Sequence, residues 1–231
     1  MAECLSSCGS GLHEERMRHF REAALYLVTS QEVSRGRTTL DVVRKALAGG
    51  VRLVQLREKS MSDGELFLLA CELRKITDVA GAVLIINDHI DIALACGADG
   101  VHLGQDDLPV DVARRMAPEL VIGASAHSVA EVLDSQKRGA SYVNIGPLFS
   151  TTTKAVAEGR LLGLEGLRRL SASAEIPFTV MGGIKREHVS SLVAEGARTI
   201  ALVSAITMAD DPEQAASGIL KEIRRAMARY L

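Results

Sequence analysis

The chain has 231 residues, 47% of them hydrophobic, enough to bury one sizeable core in a single domain. Its formal net charge of −2 gives no basis for non-specific binding to nucleic acid or to an anionic membrane surface. No run of about 18 apolar residues is present, so nothing is expected to span a membrane.

The first residues lack an apolar run of signal-peptide length and carry Glu3. The four cysteines, Cys4, Cys8, Cys71 and Cys96, make no disulfide framework in a chain of this size. Cys71 and Cys96 lie in apolar helical patterns and are expected to be buried small hydrophobes. Cys4 and Cys8, near His13, match no closed zinc spacing and read as free thiols. A reduced, cytoplasmic protein is the expectation. There is no Trp, and only 3% of residues are aromatic, so Val, Ile, Leu and Ala are expected to fill the interior.

In chain order, residues 1–22 are expected to stand apart: a mobile tail to about Gly11, then a charged helical lead-in. Residues 23–231 read as the domain itself. Short apolar runs predict strands over 24–29, 51–57, 82–87, 100–104, 120–126, 142–146, 178–182 and 199–204. The second is the most informative. Side chains alternate faces along a strand, so Leu53, Gln55, Arg57 and Lys59 share one face and Val54 and Leu56 the other. Apolar, polar, cationic, cationic along a face whose reverse is also apolar fits the inside of a barrel that opens at a charged mouth. Two cations there can hold a multiply charged anion.

Helical segments follow the strands. Ser62 with Glu65, and Ser128 with Glu131, have capping-box spacing. Asp211, Pro212 and Gln214 fit the start of the last helix. Gly50, Gly97, Gly139 and Gly196 fall where helices close in a left-handed turn. Eight strands alternating with helices predict a single (β/α)8 TIM barrel of α/β class. A doubly wound open sheet is the competing architecture. It is weakened by the absence of Gly-x-Gly-x-x-Gly after the first strand.

In such a barrel the site lies at the C-terminal ends of the strands. Those ends carry Gln55, Arg57 and Lys59; Asn87 and Asp88; His102 through Asp107; Ser125 and His127; Gly146-Pro147 followed by Thr151-Thr152-Thr153-Lys154; Gly182-Gly183; and Val203-Ser204. Asp88 and Asp107 are hard oxygen donors suited to Mg²⁺, which also takes phosphate oxygens; each could instead simply cap a helix. Arg57, Lys59 and Lys154 could neutralise a diphosphate. Gly183 and Ser204 end the two strands that usually form a phosphate-binding corner. Two anion sites suggest two phosphorylated substrates. His102 reads as a hydrogen-bonded interior histidine rather than a catalyst. His127 either touches substrate or starts the next helix.

These blocks, in this order and spacing, resemble the thiamine phosphate synthase family. They are Gln55-Leu56-Arg57-Glu58-Lys59, Asn87-Asp88, His102-Leu103-Gly104-Gln105-Asp106-Asp107, Gly123-Ala124-Ser125-Ala126-His127, Gly146-Pro147 with Thr151-Thr152-Thr153-Lys154, Gly182-Gly183-Ile184 and Val203-Ser204-Ala205-Ile206. The resemblance runs from about Tyr26 to the last helix. It implies a transferase that joins 4-amino-2-methyl-5-pyrimidinylmethyl diphosphate to a thiazole phosphate, which in some members is carboxylated. By that resemblance Gln55, Arg57, Lys59, Asn87, Ser125 and Lys154 contact the pyrimidine diphosphate. Asp88 and Asp107 bind one Mg²⁺, and Thr151, Thr153, Gly183, Val203 and Ser204 hold the thiazole phosphate. Leu56, Glu58 and Thr152 are counted with their segments as substrate-binding. Arg57, Lys59 and Lys154 are taken as the catalytic cations. The partners implied are small molecules, with homo-oligomerisation left open. Two departures stand out: Met181 is larger than expected before Gly182, and 155–160 is variable. A thiazole tautomerase of the same superfamily, or a non-catalytic sensor of thiamine precursors, are the alternatives. Neither needs the aspartates together with the full cationic set.

Overall fold

A computed structural model describes residues 2–151 and 161–230, with side chains from residue 11 onward. Helix α1 (Ala2–Glu22) leads into strand β1 (Leu25–Val28). Then follow α2 (Thr39–Ala48), β2 (Leu53–Leu56), α3 (Asp63–Val79), β3 (Val83–Asn87), α4 (Ile90–Ala95) and β4 (Gly100–Leu103). The second half comprises α5 (Val110–Met116), β5 (Val121–Ala126), α6 (Val129–Lys137), β6 (Tyr142–Ile145), α7 (Gly163–Ser171), β7 (Phe178–Val180), α8 (Val189–Ala194), β8 (Thr199–Leu202), α9 (Ser204–Thr207) and α10 (Pro212–Tyr230). The eight strands pair in parallel, each with the next, and β8 pairs back on β1 to close the barrel. This is the (β/α)8 architecture expected, each strand lying within its predicted run. Among the described residues no helix is long and apolar enough to cross a membrane.

Alternation along the strands sorts the core into two layers. Val54, Leu56, Leu84, Ile86, Val101, Ile122, Val143 and Ile200 face outward and pack with the helices. Tyr26, Val28, Leu53, Val83, Ile85, Val121, Tyr142 and Ala201 face inward. Branched aliphatics thus dominate the outer layer, but the inner floor departs from the expectation of a purely aliphatic interior. Phe20, Tyr26 and Tyr142 meet there, with the Phe20 and Tyr142 rings 4.4 Å apart. Gly123 makes this possible, since a Cβ there would lie 2.2 Å from the Tyr142 ring.

Phe20 and Met17 come from α1, which is helical from Ala2, where a tail had been expected. The helix closes the N-terminal end of the barrel. An Arg16 Nη donates to the Glu119 carbonyl at 3.1 Å, and the Arg16 guanidinium lies 3.5 Å from Asp99. Each large apolar side chain buried in this way contributes about 2 kcal/mol, which outweighs anything the exposed charged face of the helix adds.

The caps follow the chemistry of their residues. Ser62 and Glu65 form both bonds of a capping box. Ser128 receives the Glu131 N–H, but the Glu131 carboxylate turns to the His127 N–H at 2.6 Å, so only half of that box forms. Asp211 accepts from the Glu213 N–H at 3.0 Å. Cys71 and Cys96 are unpaired and half-buried, less enclosed than expected; Cys96 caps the C-terminal end of α4. The side chains of Cys4 and Cys8 lie outside the described residues.

Candidate active site

The C-terminal ends of the strands form the mouth. At β2 the alternation holds: Gln55 is buried inside the barrel and Leu56 belongs to the outer layer. Arg57 and Lys59 follow at the rim. Among the described residues the Arg57 guanidinium has no hydrogen-bond or ion-pair partner; its N–H is held by Thr29 Oγ1 at 2.9 Å. Glu58, counted with the substrate-binding segment, is instead 7% exposed. Its carboxylate accepts from the Gln31 N–H at 2.8 Å and the Thr39 hydroxyl at 2.7 Å. It ties the segment after β2 to the segment after β1 and so fixes the backbone that presents Arg57 and Lys59. Leu56 packs in the outer layer and, with Glu58, also borders the cleft beside Arg57 and Lys59.

Lys59 pairs with Asp88 across the gap between β2 and β3. Asp88 stands at a left-handed φ of 64°, an uncommon conformation for a residue with a side chain. Its N–H is pinned to the His102 carbonyl at 2.8 Å. The backbone thus turns so that the carboxylate meets Lys59 and Asp107. Burial pushes the Asp88 carboxyl up, but hydrogen bonds from Lys59 and Asp107 and the Lys59 charge outweigh it, leaving it below the usual range. Asp107 goes the other way, raised by burial and by sharing a hydrogen bond with Asp88, although the Gly104 N–H at 2.6 Å opposes this. Two crowded carboxyls of opposite shift are a site where a proton or a cation relieves repulsion.

Asn87 lines the cleft between β2 and β3 with Arg57, Lys59 and Asp88. Ser125 is half-buried at the end of β5, with its hydroxyl 3.0 Å from His102 Nε2. His102 is an interior histidine, as the sequence suggests. Its Nδ1 lies 3.0 Å from the Tyr142 hydroxyl, and burial pushes its pKa down to about 4 against a weaker opposing pull from Asp88. His127 is engaged with Glu131 at 3.0 Å. Beside this layer Thr179 donates to Asn144 Oδ1 at 2.9 Å. Tyr26, Tyr142 and Asn144 were missed by sequence reasoning; the only available signal was that two of the chain's three tyrosines sit at interior-facing strand positions.

The opposite part of the mouth is built by backbone. The segment after β6 runs along the end of β7, with the Leu148 N–H donating to the Met181 carbonyl and the Phe149 N–H to the Gly182 carbonyl, both at 2.9 Å. Gly183 has φ 59°, and a Cβ there would lie 2.2 Å from the Ser150 carbonyl oxygen. Met181, the unexpectedly large residue, lies against the inner core with its sulfur 3.7 Å from Asn144 Nδ2. Val203 precedes α9 and Ser204 begins it, so the first N–H groups of that helix lack intrahelical acceptors. Thr151 is half-buried at the mouth. Thr152, Thr153 and Lys154 lie outside the described residues.

The sequence profile of the thiamine monophosphate synthase family matches residues 25–206. The chain belongs to the thiamine monophosphate synthase family. A thiamine-phosphate synthase of Chloroflexus aurantiacus is 44% identical over 198 residues, 86% of this chain and 91% of the relative. One from Moorella thermoacetica is 41% identical over 206 residues, 89% of this chain and 98% of the relative. Among solved structures, a thiamine phosphate pyrophosphorylase from Pyrococcus furiosus superposes with a TM-score of 0.81 at 34% identity, covering 91% of this chain and 98% of that one. A 3-hexulose-6-phosphate synthase superposes at 0.65 with 20% identity, a likeness of fold alone. The candidate site of this thiamine monophosphate synthase family member thus lies wholly within the matched region.

Proposed function

We propose that the protein is a transferase that makes thiamine phosphate. It would join 4-amino-2-methyl-5-pyrimidinylmethyl diphosphate to 4-methyl-5-(2-phosphoethyl)thiazole, or its carboxylated form, releasing diphosphate. The observation that carries this reading is the gathering of Arg57, Lys59, Asp88 and Asp107 at the mouth of a barrel of this family. The C–O bond to diphosphate breaks with its electron pair leaving on oxygen. The thiazole nitrogen then donates its lone pair to the pyrimidinylmethyl carbon. Charge builds on the departing oxygens, so fixed cations act where the transition state needs them. Arg57 and Lys59 take that role, with Lys154 joining them from the loop after β6. No nucleophile or general base is required.

Asp88 and Asp107 fit a divalent cation. They supply oxygen donors only, and their mutual crowding leaves one of them reluctant to ionise without a counter-charge. They would hold Mg²⁺, whose remaining positions suit water and phosphate oxygens; when bound it would offset charge on the diphosphate. Lys59 would then be free to turn from Asp88 to the substrate. Gln55, Asn87 and Ser125 orient the pyrimidine half. Thr151, Gly183, Val203 and Ser204, with Thr152 and Thr153, hold the thiazole phosphate mainly through backbone N–H groups. Substrates of this kind point to action in the cytoplasm.

The test supplies both phosphorylated halves and Mg²⁺ and follows thiamine phosphate together with diphosphate. Stoichiometric formation of the two is expected. Turnover of the thiazole phosphate alone, with no need for the pyrimidine diphosphate, would replace the synthase by the tautomerase.

A further inference from the structure

A line of buried hydroxyls and ring nitrogens crosses the barrel between the floor and the mouth. Gln55 Nε2 donates to Tyr26 Oη at 2.6 Å. Tyr26 Oη lies 3.0 Å from Tyr142 Oη, Tyr142 Oη 3.0 Å from His102 Nδ1, and His102 Nε2 3.0 Å from Ser125 Oγ. The line begins on β2 and ends on β5, both ends being groups that the proposed function sets against the pyrimidine diphosphate.

Counting hydrogens gives the line a direction. Tyr26 is 0% exposed and already accepts from Gln55. Among the described residues its own hydrogen has one acceptor within reach, Tyr142 Oη. Tyr142, also 0% exposed, accepts from Tyr26 and therefore gives its hydrogen to its other partner, His102 Nδ1. A neutral imidazole that accepts at Nδ1 carries its proton on Nε2. That proton goes to Ser125 Oγ, so the Ser125 hydroxyl hydrogen is not used inside the barrel. With Gln55 Nε2 donating, the reverse direction would leave the Tyr26 hydrogen buried without an acceptor; it requires the Gln55 amide to turn its Oε1 to Tyr26 instead.

We propose that Tyr26, Tyr142 and His102 are positioning residues: they form a one-way hydrogen-bond line that holds His102 as its Nε2–H tautomer and turns the Ser125 hydroxyl into a donor aimed at the mouth. The substrate group that Ser125 meets is then a lone-pair acceptor, a ring nitrogen or a phosphate oxygen of the pyrimidine diphosphate. This rests on the synthase reading for the ligand, but not for the direction of the line. The same line fixes the Gln55 amide at its other end, so two contacts to one substrate are set by a single interior feature.

Two measurements test this. Long-range nitrogen–proton correlation spectra of ¹⁵N-labelled protein read the His102 tautomer directly, with the resonance identified by its loss in His102→Gln. Protonated Nε2 and bare Nδ1 are expected; protonated Nδ1 overturns the direction, whatever the activity. Steady-state kinetics then read the consequence. Tyr142→Phe should lower kcat/KM for the pyrimidine diphosphate about tenfold while the thiazole KM stays within about twofold, the scale of one lost hydrogen bond. His102→Gln, which keeps a donor toward Ser125, should retain more of that kcat/KM than His102→Leu at matched Tm. Loss of stability in Tyr142→Phe and His102→Leu with unchanged kcat/KM for the pyrimidine diphosphate would overturn the positioning role. A wild-type protein with no synthase turnover would overturn the reading of its function, and the tautomer alone would then decide the line.

Discussion

His102 shows how much one buried ring can impose. Its pKa is pushed down to about 4 by burial, while in the unfolded chain it should titrate near 6.5. Between those values the unfolded chain binds the proton and the folded protein does not. Stability that is fully present above about pH 6.5 is therefore lost as pH falls toward about 4, by about 3 kcal/mol in all. Denaturant midpoints measured across this window should fall in the wild type and fall less in His102→Gln; parallel curves would remove His102 from the account. Asp88 and Asp107 yield a second expectation at this scale. Asp88→Ala and Asp107→Ala should each lower turnover by about a hundredfold with the fold intact by circular dichroism. Full activity in excess chelator would remove the metal from the reaction. Glu58 marks a limit of reading by residue. In sequence it is one more charge beside Arg57 and Lys59. Its acceptor role is visible only once Gln31 and Thr39, brought in from the segment after β1, are seen against it.

At the scale of elements, the strand pattern was legible because alternation on a closed parallel sheet is a local property. Leu53 and Gln55 face inward and Val54 and Leu56 outward, as their order demands. Of helix α1 only the charged lead-in after about Gly11 was legible; its start at Ala2 and its place under the barrel were not, since it lies outside the repeating βα unit and its polar composition hides two apolar anchors. Phe20→Ala should cost about 3–5 kcal/mol, because a ring 1% exposed leaves a cavity against Tyr26 and Tyr142. Thermal unfolding should show this loss, while kcat/KM for the pyrimidine diphosphate at low temperature falls less than in Tyr142→Phe, because both tyrosine hydroxyls remain. The segment after β6 gives a contrasting case. A valine at Gly183 would meet the Ser150 and Phe149 carbonyl oxygens, 2.2 and 2.6 Å from its Cβ, before it met any ligand. Gly183→Val should therefore raise the thiazole KM and lower Tm together. A raised KM at unchanged Tm would show that the side chain blocks the phosphate alone.

For the whole molecule, closure is the controlling fact. Strand β8 pairs with β1, and Arg37 donates to the carbonyls of Thr207 and Ala209 at 2.8 and 2.7 Å. Thr199 Oγ1 donates to the Ala23 carbonyl at 2.9 Å. A chain ending at Arg198 lacks β8 and leaves both β1 and β7 with open edges, so it should be recovered as aggregate and not as a soluble intermediate. Soluble, monomeric truncated protein by size-exclusion chromatography would contradict this.

The same closure bears on how the protein is made. Synthesis delivers β8 about 170 residues after β1. During that interval the first strand waits with one side unpartnered, and the ring has no way to shut until β8 is released. The seam between first and last strands is thus the point at which a nascent chain is most exposed to wrong neighbours, and a chaperone that shields β1 would act there.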